Sequence, residues 1–540
     1  MTNPHDRALP RAIRMAMPLA RDVMEEVAKL HGVCIRPVPL KRLDTHSGKW
    51  ELIDVPCGAT LEAKCPPCAK RNRQLRIAQC REGWHLDHEP AITADEPSDD
   101  QRWLVEFRAD LQARREEAEQ LGEDTADWDA AIAGVDEEIN AAGMRGSVLG
   151  RTAPKRTRST RRRQDAPDLP KRKMADTTLG RTFAAPDGKV FRPSLFVTLT
   201  LPSYGKVRDG VPVDPDSYDY AGAARDALHF SKLVDRFVQN LRRVAGYDVQ
   251  YFGTVEPQQR LAPHLHIAIR GTLPRAELKQ IIAATYHQVW WPPADEVRFD
   301  GDHLPIWQEG AGYLDPDTGE VLPTWDQALD QLDADEDAEP LHVVRFGQQH
   351  NIQSVLAGTP AAGKWLGYLT KYLTKSLADP LGATADNPAR REHAARLIEA
   401  LRTEPCSPTC ANWLRYGIQP KGAKPGMAPG RCHGKAHKPD HLGYAGRRVL
   451  VSRKWSNKTL AEHKQDRRTW VLEALGQADE TPDPHRYVWR PVPAGDANVA
   501  PLAVRLLRTV RERQRWRAHM AELQARADGQ DLSATEGRAA

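Results

Sequence analysis

Pro263-His-Leu-His-Ile-Ala-Ile269 is the stretch whose reading decides the fold. Leu265, Ile267 and Ile269 alternate with His264, His266 and Ala268, the signature of a half-buried strand. A period of two sends the three aliphatic side chains into a core and turns both imidazoles to the other face. Two nitrogen donors from one strand make half of a metal site. Glu256 closes the preceding apolar run, eight residues before His264. A short connection would bring it alongside, and its carboxylate suits a hard cation such as Mg2+ or Mn2+.

Outward from this strand the pattern stays regular. Residues 249–256 (VQYFGTVE) and 194–201 (SLFVTLTL) read as strands, as do 341–346 (LHVVRF). Residues 220–244 read as a helix, with Phe230, Leu233, Phe237, Leu241 and Val244 on one face. Further helices are expected at 274–290 and 361–377. The order β-α-β-β-α-β-α is a split βαβ pattern of the ferredoxin-like kind. The expected class is therefore α+β, an antiparallel sheet with helices on one face. Residues 301–340 are too long and too acidic for a plain loop and read as an insertion.

Residues 368–375, YLTKYLTK, repeat a four-residue unit. On a helix, i and i+4 share a face, so Tyr368 and Tyr372 stack one turn apart, and Lys371 and Lys375 do the same beside them. A phenol of pKa about 10 is a poor nucleophile at neutral pH. Nearby lysines and a metal-polarised phosphate would help it. Lys371 and Lys375 flank Tyr372, which favours that residue as the first nucleophile.

FVTLT at 196–200, the PHLHIAI stretch and YLTKYLTK occur in the order of the three motifs of HUH endonucleases, which they resemble. The paired tyrosines resemble the two-tyrosine class. GTVEPQQRLAPHLH, WWPP at 290–293, the N-terminal CPPC and GYAGRRVLVSRKWS at 443–456 resemble rolling-circle replication initiators of actinobacterial plasmids and integrative conjugative elements. The match covers roughly residues 55–85 and 190–460. The resemblance implies an enzyme that nicks one DNA strand at an origin and religates it through a tyrosine–phosphate bond, leaving a 3′-OH to prime synthesis. His264 and His266 would hold the metal, and Tyr368, Tyr372, Lys371 and Lys375 would form the catalytic set. Single- and double-stranded origin DNA, a host helicase and a polymerase are the implied partners. A two-tyrosine single-strand transposase shares the motif order. Relaxases usually carry the tyrosine upstream of the histidines, whereas Tyr368 lies downstream. A non-catalytic zinc-containing DNA-binding regulator would explain the cysteines but not the His and Tyr motifs.

The eight cysteines fall into clusters that suggest metal rather than disulfides. Cys57, Cys65, Cys68 and Cys80 make the simplest N-terminal zinc set, with His85 and His88 nearby and Cys34 standing apart. Cys406, Cys410, Cys432 and His437 (or His433) make a second, so two structural Zn2+ ions are expected. The glycine- and proline-rich stretch before Cys432 can fold around a metal but cannot build a core. Arg447, Arg448, Arg453 and Lys454, with Trp455, form a basic, aromatic stretch suited to DNA contact.

At 540 residues the chain exceeds one typical core. It is polar, with 40% hydrophobic residues and a mean hydropathy of −0.61. No apolar run of about 18 residues marks a membrane span, and no signal peptide is evident, so a cytoplasmic protein without a membrane partner is expected. The net charge of +4 is unevenly spread. The organisation expected is a cysteine-bearing head at 1–90, a charged helical hairpin at 91–150 and a basic flexible linker at 151–189. The endonuclease domain follows at 190–385 with its acidic insertion near 300–340, then a Cys/His module and basic strand at 386–460. A basic helical tail at 461–540 could pack or bind DNA. In the hairpin, Trp103, Leu104, Phe107 and Leu111 are expected to pack.

Overall fold

The computed structural model describes residues 10, 13, 17–84, 86, 88–90, 97–141, 144, 162–188, 190–356, 359–371, 373–374, 387–474, 486–493 and 495–527. They form two compact units, one of residues 1–90 with 165–540 and one of residues 91–164. The smaller unit is the helical hairpin, Asp99–Leu121 and Ala126–Ala141. Ser98 opens it with a capping box to Gln101, and Gly122 ends the first helix in the left-handed conformation. Leu104 and Leu111 are buried with Ile132, Val135 and Ile139. Trp103 and Phe107 instead stack on each other at 5.0 Å and stay exposed.

The larger unit is organised around β1 (Pro193–Leu199), α1 (Tyr220–Ala245), β2 (Tyr251–Pro257), β3 (Pro263–Arg270), β4 (His350–Leu356), α2 (Pro360–Lys371) and β5 (Val449–Val451). The five strands form one sheet in the order β4-β1-β3-β2-β5, every neighbour antiparallel. Alternation along β1 and β3 sends Leu195, Val197, Leu199, Leu265, Ile267 and Ile269 to one face. There they meet Phe230, Leu233, Phe237 and Leu241 of α1, all fully buried. Burial of each such side chain contributes about 1.5–3 kcal/mol. Asp219 caps α1 by accepting from the Gly222 amide, and Gly246 closes it at a φ of 73°. Phe196, Phe252 and Ala268 face the other way and pack against Leu366 and Leu369 of α2 and against Trp84 and Trp455. Helices therefore cover both faces, not one.

Three elements differ from expectation, one being the helix expected at 361–377, which is Pro360–Lys371 with Leu373 and Thr374 in a turn. The helix begun at Arg275 stops at Ala283 and gives way to a strand, Tyr286–Val289. That strand pairs with His342–Arg345, so LHVVRF lies in a separate two-stranded ribbon. The fourth strand of the main sheet is His350–Leu356, whose edge position lets polar residues alternate with only two buried ones, Ile352 and Val355. The acidic insertion is ordered: it holds a hairpin, Ile306–Gln308 with Gly312–Leu314, and a helix, Trp325–Ala334.

Described segments from the first and last parts of the larger unit meet. Val38–Asp44 pairs with both Trp50–Val55 and Tyr487–Pro491. The basic tail helix, Leu502–Ala527, buries Leu506 and Val510 against Ala28, Val33 and Ile35. Among the described residues, no helix is long and apolar enough to cross a membrane.

Candidate metal centres and the tyrosine face

Register alone assembles the first site. Glu256 of β2 lies opposite His264 of β3, and His266 lies between Thr198 of β1 and Thr254 of β2. The Nε2 atoms of His264 and His266 are 2.8 Å apart, and Glu256 Oε2 is 3.8 Å from His266 Nε2. One ligand atom from each of the three lies within 4.8 Å of the others. The Glu–His–His grouping expected from the sequence is thus brought together. Thr198 Oγ1 stands 2.9 Å from His266 Nδ1. An Nδ1–H donated to that hydroxyl leaves the Nε2 lone pair aimed into the cluster. The Thr254 hydroxyl donates to Glu256 Oε1 at 3.3 Å.

Burial sets the protonation states. It pushes His264 down to about 4 and His266 down to about 3, so both are neutral near pH 7 and carry the lone pairs that bind metals. It pushes the Glu256 carboxyl up to about 8, against the opposing charges of Arg448 and Lys371. The charges of Arg448 and Lys371 do not offset this burial, and a divalent cation at the cluster would stabilise the carboxylate further. One carboxylate oxygen and two imidazole nitrogens on a rigid sheet fit such an ion with coordination positions left open.

Helix α2 lies over this face. The Tyr368 ring meets His266 edge-on at 4.9 Å and packs near Phe196 and Trp365 at 5.9 and 6.3 Å. Tyr368 is 40% exposed, so a large ligand can reach it. Tyr372 and Lys375 lie outside the described residues. Of the basic stretch, Arg448 is half-buried and acts on Glu256. Lys454 Nζ pairs with Asp248 at 3.8 Å, and Arg447 and Arg453 are exposed. Trp455 is fully buried against Phe252 and Gly83, and a Cβ on Gly83 would overlap its ring, so Trp455 offers no stacking surface.

The N-terminal thiol cluster is Cys34, Cys57, Cys65 and Cys68. Cys34 takes the place expected for Cys80. Cys34 Sγ accepts from the Cys57 amide at 3.3 Å and lies 3.8 Å from Cys65 Sγ. Cys80 sits about four turns along the helix Pro66–Trp84, buried among Phe252, Phe196 and Trp455. The same helix ties the cluster to the tyrosine face, since Arg73 Nε donates to Thr370 O at 2.8 Å. His85 lies outside the described residues, and the described His88 does not belong to this cluster.

The second cluster is the expected one, Cys406, Cys410, Cys432 and His437. Cys410 Sγ is 3.5 Å from His437 Nε2, and His437 Nδ1 donates to Leu401 O at 2.7 Å, which fixes the tautomer. The insertion helps supply the core that its glycine-rich segment cannot: Trp325, with Trp291 from before the insertion, packs on Trp413, and Tyr313 donates to Lys424 O and Met427 O. All eight cysteines are free thiols, and each four-residue set suits tetrahedral Zn2+.

Thr198 and the contribution of Cys34 were not anticipated from sequence. Thr198 was within reach, because period two along FVTLT places it on the histidine-bearing face. Cys34 had no local spacing to betray it.

An α+β unit with an antiparallel sheet, a Glu–His–His cluster beside a tyrosine helix and two thiol-rich clusters defines a class with three places able to hold metal ions. The chain matches the model of the family described as "Replication initiator protein, pSAM2" (RepSA) over residues 20–512, and it belongs to that family. A replication initiator protein of Streptomyces ambofaciens is 33% identical over 111 aligned residues, covering 14% of this chain and 24% of that protein. The chain thus spans about a quarter of the length of this curated relative. No solved structure matches it.

Proposed function

We propose that this initiator-family protein cuts and rejoins one DNA strand at a replication origin, as an HUH endonuclease of the two-tyrosine class. One contact carries the reading: the half-exposed Tyr368 ring rests edge-on against the buried His266, so a tyrosine and the histidine pair share one side of the sheet. The strand order β4-β1-β3-β2, with α1 crossing between β1 and β2, supports a split βαβ core. Membership of the initiator family favours origin nicking over transposition.

Glu256, His264 and His266 would hold Mg2+ or Mn2+, which when bound would polarise the scissile phosphate. The tyrosine hydroxyl gives up its proton and its oxygen bonds to phosphorus. The bond from phosphorus to the 3′-oxygen breaks, and that oxygen takes up a proton. A 5′-phosphotyrosine and a free 3′-OH result. Lys371 and Arg448, which already bear electrostatically on Glu256, add positive charge where the phosphate would sit. A second tyrosine can repeat the exchange at the end of a round. Origin DNA, a helicase and a polymerase are the partners this role requires.

The test incubates the full chain with single-stranded origin oligonucleotides and Mn2+ or Mg2+. A covalent adduct on a denaturing gel is expected, and none with Tyr368→Phe/Tyr372→Phe. An adduct that survives the double substitution, or is mapped to a residue outside this pair, rejects the mechanism.

A further inference from the structure

The tail helix Leu502–Ala527 has two unlike faces. Leu506 and Val510 are buried against the N-terminal head. Beyond them Arg511, Arg513, Arg515, Trp516 and Arg517 are exposed, with Glu512 the lone acid among them. Arg513, Trp516 and Arg517 share a face by their spacing. Trp516 is 41% exposed, and the Arg513 guanidinium stands 5.7 Å from its ring centroid.

Of these, Glu512, Arg513 and Trp516 line a cavity of about 270 Å³, together with Arg71 and with Cys34 of the first thiol cluster. Arg71 Nη2 reaches Cys68 Sγ at 3.8 Å. Two carboxylates also line it. Asp54 is engaged by Arg505, whose Nε donates to it at 2.8 Å, which leaves Glu512 as the other. Partial burial at the cavity wall, and then the like charges of Arg517 and Arg71, hold the Arg513 guanidinium below its ordinary range. An anion would relieve that crowding. A ring open to solvent beside clustered guanidinium groups is the chemistry that holds an unpaired base together with its phosphate.

We propose that this cavity is a single-stranded DNA subsite, with Trp516 stacking a base and Arg513 and Arg71 meeting the adjacent phosphates. The proposal rests on the DNA-nicking reading for its biological sense but uses no residue of the Glu256–His264–His266 site. The thiol cluster then acts as scaffold for a strand-holding surface. A single strand is favoured over a duplex because the cavity admits one base and its wall is a flat aromatic face.

The experiment titrates the full chain into fluorescein-labelled oligothymidylate and follows anisotropy across a salt series. Trp516→Ala and Arg513→Ala should each weaken binding about tenfold, within the range for loss of a stacked base. Arg513→Ala should also flatten the log affinity against log salt slope by about 0.7, the value for one phosphate contact on a single strand. Glu512→Gln should tighten binding, a gain that a misfolded variant could not show. Unchanged affinity in both the Trp516 and Arg513 variants, or equal losses on blunt duplex of the same length, overturns the subsite. Binding lost in these variants while the parent forms no covalent adduct would retain the subsite and reject nicking; an adduct with unaltered binding would do the reverse.

Discussion

The sheet-borne Glu256–His264–His266 site and the two thiol clusters reach their geometry by different routes. The first takes all three ligands from adjacent strands whose register is enforced by a core of fully buried side chains on the opposite face. It is preorganised by the fold, and hard oxygen and nitrogen donors leave room for a ligand. The thiol clusters sit where loops meet helix ends, and each borrows its core from distant sequence. Cys34, Cys57, Cys65 and Cys68 rest on the tail helix, and Cys406, Cys410, Cys432 and His437 on the 301–340 insertion. Four donors close each of them, four thiols in the first and three thiols with the His437 imidazole in the second. The contrast separates a centre suited to chemistry from two suited to holding chain segments together.

That separation can be broken by substitution. His266→Ala should lower adduct formation by about a thousandfold or more, since a bound metal supplies several kcal/mol of charge stabilisation and each 1.36 kcal/mol is tenfold in rate. Its zinc content and thermal midpoint should match the parent's. A loss of fold on this substitution would place the histidines among the structural centres.

Next in size is the exchange of Cys80 for Cys34. Cys34→Ser should release about one zinc ion per chain and lower the thermal midpoint, because binding of a structural ion is also folding free energy. Cys80→Ser should keep the full zinc complement. Elemental analysis of the two purified variants decides, and the opposite pattern would restore Cys80 as a ligand.

Smaller still is Thr198→Val. The substitution keeps the shape and removes the partner of His266 Nδ1. The metal concentration for half-maximal nicking should rise about tenfold to a hundredfold, the usual cost of losing such a partner. An unchanged titration would make Thr198 a packing residue.

The finest test is Gly434→Ala. A Cβ there would lie 3.0 Å from Cys406 Sγ and 3.3 Å from Cys432 Sγ, so the sulfurs must shift by a few tenths of an ångström. Competition with a chromogenic chelator should show faster release of one zinc ion and no change in the other. Identical release from both clusters would remove the proposed crowding.

Local chemistry encodes one part of the fold. β1, β2 and β3, helix α1, the two hairpin helices and the tail helix are legible in the sequence, since each announces itself by period two or by helical spacing. The Cys406–His437 set was legible for the same reason: its ligands are near neighbours in sequence. The errors fall where partners are distant. LHVVRF reads as a core strand by composition, yet its apolar residues serve a ribbon with Tyr286–Val289. HNIQSVL reads as polar, yet an edge strand needs little apolar surface to pair with β1.

By itself, then, the sequence determined which residue types recur on which face, and hence that His264 and His266 point together and that tyrosines repeat at helical spacing. Only tertiary structure decided which Cys completes the first cluster, which strand closes the sheet and that Tyr368 rests on His266. The physical reason is range. Backbone geometry makes side-chain direction a local property of a few consecutive residues. Contact between elements depends on how whole faces bury one another, and no spacing in the chain records that.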